Sequence, residues 1–220
     1  SRETDATLDI TPTSGQVGTE AVVNGRNFPP NTQIDLVWYD HTGSYVEGIP
    51  LRPTARQGEL PSVATDVEGS FETEITIPQA VGSTRSIVAM VGGQSEAVAG
   101  FVLQPSIEMF SPRSGPVGTE ITIEVGGLGW TGYENNYHIV YDNKQLGYIS
   151  GTMGDDPADP AKTTIRATGE PGYHYIDIYP GIFEMQEEYP DFELKPHLSY
   201  LDNHPVRPLP ALHLVFEVTE

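Results

Sequence analysis

The chain has 220 residues, enough for one large or two ordinary domains, and its 23 glycines and 19 prolines suit short strands joined by turns better than long helices. With no cysteine it can form no disulfide, thiol nucleophile or thiolate metal site, and no apolar run reaches the 18 residues a membrane-spanning helix needs. The net charge of −20, with Lys144, Lys162 and Lys195 as its only lysines, repels phosphate backbones and anionic lipid, which argues against nucleic-acid partners and against direct insertion of this segment into a membrane.

An internal repeat organises the chain. Residues 11–20 read TPTSGQVGTE and residues 111–120 read SPRSGPVGTE, identical at seven of ten positions at an offset of 100. Pro12 and Pro112 lack an amide donor and mark where a first strand leaves its sheet edge. Ser14-Gly15 and Ser114-Gly115 read as tight turns in which glycine takes positive φ, and Val17 and Val117 as side chains dropping into a core. Gly18-Thr19 and Gly118-Thr119 then open the next strand. A glycine followed by an aromatic comes after it in each copy, Gly25 to Phe28 and Gly127 to Trp130, which shifts the offset to 102 and implies two extra residues near Glu124. Tyr39-Asp40 and Tyr141-Asp142 keep that offset.

Further along, Ile34, Leu36 and Trp38 alternate with Asp35 and Val37, the period of a half-buried strand. Asp66 to Gly69 reads as a hairpin turn before a strand over residues 70–77. Residues 87–90 and 99–103 are the last strand pair of the first copy, and residues 173–179 and 212–218 take their places in the second. About seven short strands per copy predict two β-sandwiches, residues 1–104 and 105–220, with Gln104-Pro105 as a minimal linker.

The Pro-x-Ser-Gly-x-Val-Gly-Thr segment, followed by Gly-x-x-Phe/Trp, resembles the opening of the IPT/TIG immunoglobulin-like domain. Asp66-x-x-Gly69-x-Phe71 and the Pro-Gly-Tyr-His-Tyr-Ile run at 171–176 resemble later strands of the same family in prokaryotic surface proteins. The resemblance implies an all-β chain of two tandem E-set-type sandwiches. It implies structural, adhesive or ligand-binding roles and carries no catalytic residues or cofactor to transfer.

The glycine-rich motif lacks the lysine and following helix of a phosphate loop, so it reads as turn chemistry. No nucleophile-elbow pattern surrounds a serine, and the acidic pair Glu187-Glu188 is adjacent in sequence, so no catalytic residue is assigned. Asp155, Asp156 and Asp159 supply oxygen ligands of the kind calcium takes, without a recognised loop spacing. Five of the six histidines lie in the second copy, none in a His-x-x-x-His pair, so no zinc site is assigned either.

Two segments exceed what the repeat requires. Residues 41–65 form a long irregular stretch in the first copy, and an insertion at about 181–211 stands where the first copy manages with residues 92–97. The insertion carries Phe183, Tyr189, Phe192 and Tyr200 among acids and prolines. Such side chains either cover an open sheet edge or meet a partner. The expectation is a non-catalytic structural or protein-interaction module of a secreted, cell-surface, periplasmic or other cell-envelope assembly, with other protein chains as partners. The alternative is a carbohydrate-binding module with a glycan on Trp130, Tyr133 and Tyr137.

Overall fold

The computed structural model describes residues 5–44, 49–128, 136–149, 159–181 and 211–220, and it shows no helix among them. The first half contains β1 (Thr7–Thr11), β2 (Ser14–Gly15), β3 (Glu20–Arg26), β4 (Gln33–Ser44), β5 (Ile49–Arg56), β6 (Ser62–Ala64), β7 (Phe71–Thr76), β8 (Ser83–Val91) and β9 (Gln94–Leu103). The second contains β10 (Ser106–Ser111), β11 (Ser114–Gly115), β12 (Glu120–Gly126), β13 (Asn136–Tyr141), β14 (Lys144–Ile149), β15 (Ala161–Arg166), β16 (Gly172–Gly181) and β17 (Leu212–Val218).

Each half is a sandwich. A three-stranded sheet, β1-β3-β7 or β10-β12-β15, faces a larger one. The larger sheet is β2-β9-β8-β4-β5 with β6 on β4 in the first half, and β11-β17-β16-β13-β14 in the second. Alternation explains the layers, because a strand with apolar residues at every second position has one face to bury. Leu8, Val23, Trp38, Ile87 and Phe101 meet in one core, and Ile121, Ile123, Tyr137, Ile176 and Phe216 in another. Both halves have the sheet order of an immunoglobulin-like sandwich, and the described residues are all-β.

The repeated opening does the same work in both halves. The chain leaves the small sheet after Thr11 or Ser111, passes Pro12 or Pro112, and joins the large sheet beside the last strand, in parallel. Gly15 and Gly115 are required for space, not for positive φ: a Cβ at either would lie 2.5 Å from the hydroxyl of Thr19 or Thr119. It is Gly18 and Gly118 that take positive φ, at 80° and 89°. Val17 packs partly against the core, whereas Val117 is exposed.

Strand pairing also corrects the alignment of the copies. β3 and β12 are each seven residues long and end at a positive-φ residue, Asn27 (61°) and Gly127 (62°). The counterpart of the buried Phe28 is therefore the buried Leu128, not Trp130, and no residues are inserted near Glu124. Farther on, Gly15 opposes Leu103, which opposes Ser83, and four residues after Ser83 Ile87 opposes Trp38. The matching path runs through Gly115, Val218, Gly172 and Ile176 to Tyr141. Trp38 and Tyr141 are thus equivalent at an offset of 103, and the shared Tyr-Asp dipeptide is one residue out of register. That slip exchanges the faces: Asp40 is fully buried, whereas the Asp142 side chain is 38% exposed.

Two other expectations change. Asp66 to Gly69 is not a hairpin: it carries the chain from β6, in the large sheet, to β7, in the small one. Asp66 Oδ1 accepts hydrogen bonds from Glu68 N (2.9 Å) and Ser70 N (2.8 Å), a local turn the side chain builds for itself. Residues 41–65 are mostly strand where described: β4 and β5 pair from Trp38↔Arg56 to Ser44↔Ile49, and β6 follows after a turn at 57–60.

Few residues separate β9 from β10, and polar contacts tie the chain on either side of Pro105. Gly82 N donates to Leu128 O (2.8 Å) and Gln16 Nε2 to Pro105 O (3.3 Å). Gln79 Oε1 accepts from Gly127 N (3.1 Å), while its Nε2 donates to Asp159 O (3.2 Å). The loop carrying Gln79 is anchored from within. Arg56 donates to Gln79 O, and the buried Asp40 accepts from Val81 N (3.3 Å) and His41 N (2.8 Å). Burial pushes the Asp40 carboxyl above its usual range against the pull of His41 N and of Arg85 and Arg56, whose nitrogens stand 3.6 Å away.

These contacts lead to two expectations. Gly69→Ala destabilises the first half more than Gly18→Ala: both force an L-residue to positive φ, costing about 1–3 kcal/mol, but only at Gly69 does the Cβ strike backbone, 2.0 Å from Phe28 O. Chemical denaturation of the two variants checks the order. Gln79→Ala removes the two side-chain hydrogen bonds that Gln79 makes across Pro105, worth about 0.5–1.5 kcal/mol each, so the halves should tumble with separate correlation times in 15N relaxation where the native protein shows one.

Candidate binding face

Of the expected aromatic trio one ring is described. Tyr137 is fully buried in the second core, because β13 turns residues 137, 139 and 141 inward. Trp130 and Tyr133 lie outside the described residues, as do Phe183, Tyr189, Phe192, Tyr200, Asp155 and Asp156. Asp159 is exposed, and its backbone carbonyl is taken by Gln79. Among the described residues no group of three or more His, Cys, Asp or Glu side chains converges as metal ligands do.

The second large sheet instead exposes a different set of rings. On β16, Ile176 and Ile178 are fully buried, so Tyr173, Tyr175, Asp177 and Tyr179 project from the opposite face. Tyr173 opposes Glu217, Tyr175 opposes Val215 and Asp177 opposes His213, which extends the face onto β17. Tyr173 is 68% exposed, Tyr175 58% and Val215 46%. Successive outward positions on a strand lie roughly 6.6–7 Å apart, so the two tyrosines stand side by side along β16. At the other end of the strip His213 Nδ1 and Asp177 Oδ1 lie 2.6 Å apart, and the His213 ring meets Tyr179 edge-on at 6.3 Å. Burial, then the neighbouring Asp177 carboxylate, push the Tyr179 hydroxyl above its usual pKa.

The signal for this face was present in the sequence: in Tyr173-His-Tyr-Ile-Asp-Ile-Tyr179 the isoleucines declare the inward parity and leave the tyrosines outside.

A histidine lock fixes the end of the face that carries Tyr173 and Tyr175. Asp142 and Asn143, both at positive φ, form the turn between β13 and β14. Asp142 Oδ1 accepts from Tyr175 N (3.0 Å), and Oδ2 lies 2.5 Å from His174 Nδ1. His174 Nε2 lies 2.8 Å from Glu170 O, and its ring stacks on Tyr141 at 5.6 Å. Both ring nitrogens face acceptors, so the charged imidazolium suits this site best. The Asp142 hydrogen bond, then that of Glu170, raise the His174 pKa. Burial works against the Asp142 charge, but the bonds from His174 and Tyr175 outweigh it and the Asp142 pKa falls.

No protein-family model and no curated protein matches the chain. Solved structures do show a likeness. The Yersinia pseudotuberculosis adhesin InvE is 12% identical, with 99% of this chain and 60% of that one covered at a TM-score of 0.38. A two-domain fibronectin type-III segment of chicken tenascin is 8% identical, with 96% and 97% covered at 0.31. SGBP-B, from a xyloglucan utilization locus in Bacteroides uniformis, is 16% identical, with 80% and 46% covered at 0.28. The chain thus spans 60% of the InvE chain and 24% of a Porphyromonas gingivalis PorU chain it also matches. At these TM-scores the likenesses carry no argument about function.

The lock sets a pH dependence. His174, raised in the fold, contributes stability that is complete below its unfolded pKa of about 6.5 and is lost as pH rises through its higher folded value. Asp142, lowered in the fold, contributes above its unfolded value of about 3.9 and loses that contribution as pH falls. The lock's own contribution should therefore be greatest between those limits and weaken on raising pH past the histidine range. Thermal unfolding of His174→Gln across pH 5–9 should show that upper dependence gone.

Proposed function

We propose that this chain is a non-catalytic protein-interaction module of a secreted, cell-surface or cell-envelope assembly. In this reading it is a pair of IPT/TIG-type domains meeting at Gln104-Pro105, and the outer face of the second large sheet is its contact surface. The observation that carries the reading is the exposure of Tyr173, Tyr175 and Val215 together on one sheet face. Apolar area left in water costs roughly 25 cal/mol per Å², and tyrosine concentrates binding energy at interface centres. The insertion at about 181–211, with Phe183, Tyr189, Phe192 and Tyr200, lies in sequence between β16 and β17, the two strands that carry this face. The net charge of −20 suits a soluble surface module.

A glycan is the second reading, now resting on Tyr173 and Tyr175, because paired tyrosine rings on a flat face also suit a sugar's apolar side.

Selection of the intact protein against a displayed peptide library, alongside a glycan array, tests the proposal. Ligands that bind the native chain and lose about tenfold or more in affinity for the Tyr173→Ala/Tyr175→Ala double variant support it. Binders that ignore the substitution, or a turnover abolished by one point change elsewhere, would contradict it.

A further inference from the structure

We propose that the outer face of β16 and β17 binds an extended segment of a partner protein that carries lysine or arginine at alternate positions. This rests on the interaction-module reading and names the class of partner. The seven outward side chains of the strip are Tyr173, Tyr175, Asp177, Tyr179, His213, Val215 and Glu217. Two of these are carboxylates, and none is lysine or arginine.

The chemistry selects a cation. A guanidinium or ammonium gains from the face of a tyrosine ring within about 6 Å, and arginine also stacks on it through its own plane. Glu217 is exposed directly opposite Tyr173, so a cation seated on that ring meets a carboxylate on the neighbouring strand. An extended chain repeats its side chains on one face every two residues, the same period that separates Tyr173 from Tyr175. One basic residue then falls on each ring, and the residue between them points away from the sheet.

The same charges exclude other occupants. A second copy would set Glu217 and Asp177 against carboxylates of an equally acidic chain at −20, and like charges across an interface are costly. Phosphate backbones meet the same repulsion.

Fluorescence anisotropy on the full chain tests this with three labelled probes: a decapeptide alternating Arg and Thr, its Glu-Thr counterpart, and a neutral glucose hexasaccharide. The Arg-Thr peptide should bind, weaken steeply between low and physiological salt, and bind about tenfold more weakly to Tyr173→Ala/Tyr175→Ala. Glu217→Arg, a fully outward change that leaves the core untouched, should abolish binding even if the double tyrosine variant folds poorly. Equal binding of the Arg-Thr and Glu-Thr peptides, or native affinity in Glu217→Arg, would overturn the proposal. If the hexasaccharide alone binds and needs the tyrosines, the basic-partner inference falls while the interaction-module reading stands. If no ligand of any class depends on the tyrosines, both fall.

Discussion

The second half depends on one register, that of Ser114-Gly115 against the final strand. Gly115 opposes Val218 and Ser114 opposes Glu217, which turns Val218 inward and Glu217 outward. The pairing passes the same parity to β16, where Gly172 opposes Val218 and Tyr173 opposes Glu217. From there it reaches β13 and buries Tyr141. Because side chains alternate with period two, a slip of one residue at this crossing would bury Tyr173 and Tyr175 and expose Ile176 and Ile178. The buried isoleucines hold the register thermodynamically, and Thr119, packed against Gly115, shapes the crossing sterically.

That dependence explains what was legible in the sequence. The TPTSGQVGTE and SPRSGPVGTE segments revealed the repeat and the turn because turn chemistry is local. Pro12 and Pro112 stand at the sheet crossing, and Gly18 and Gly118 carry positive φ. The strands at 173–179 and 212–218 were readable from alternation alone. Identical dipeptides were a poorer guide. Tyr39-Asp40 and Tyr141-Asp142 look alike, yet their positions differ by one in the strand ladder, and so one aspartate is buried at a charged cluster while the other caps a turn. Trp130 matched Phe28 as an aromatic, whereas the fold asked only for an apolar residue directly after the positive-φ position, and Leu128 supplies it.

The contacts across Pro105 were illegible for a different reason. Gln79 reaches Gly127 and Asp159 through sequence separations of 48 and 80, and nothing in its neighbourhood marks it. Its loop is positioned by Asp40, Arg56 and Arg85, charged residues that pattern-reading assigns to solvent. They are held below the surface because the loop's backbone and the carboxylate satisfy one another, an arrangement that only the folded chain discloses. The binding face combines both cases. Its parity was readable from Ile176 and Ile178, but that β17 sets Val215 and Glu217 beside the tyrosines depends on pairing over about forty residues of chain.

Chemical nitration of tyrosine in the native protein, mapped by peptide mass spectrometry, tests the register most directly. The account predicts fast modification of Tyr173 and Tyr175, with Tyr137 and Tyr141 protected until the protein is unfolded. Protection of Tyr173 and Tyr175 together with ready modification of Tyr141 would contradict it, since that pattern is the one a single-residue slip produces.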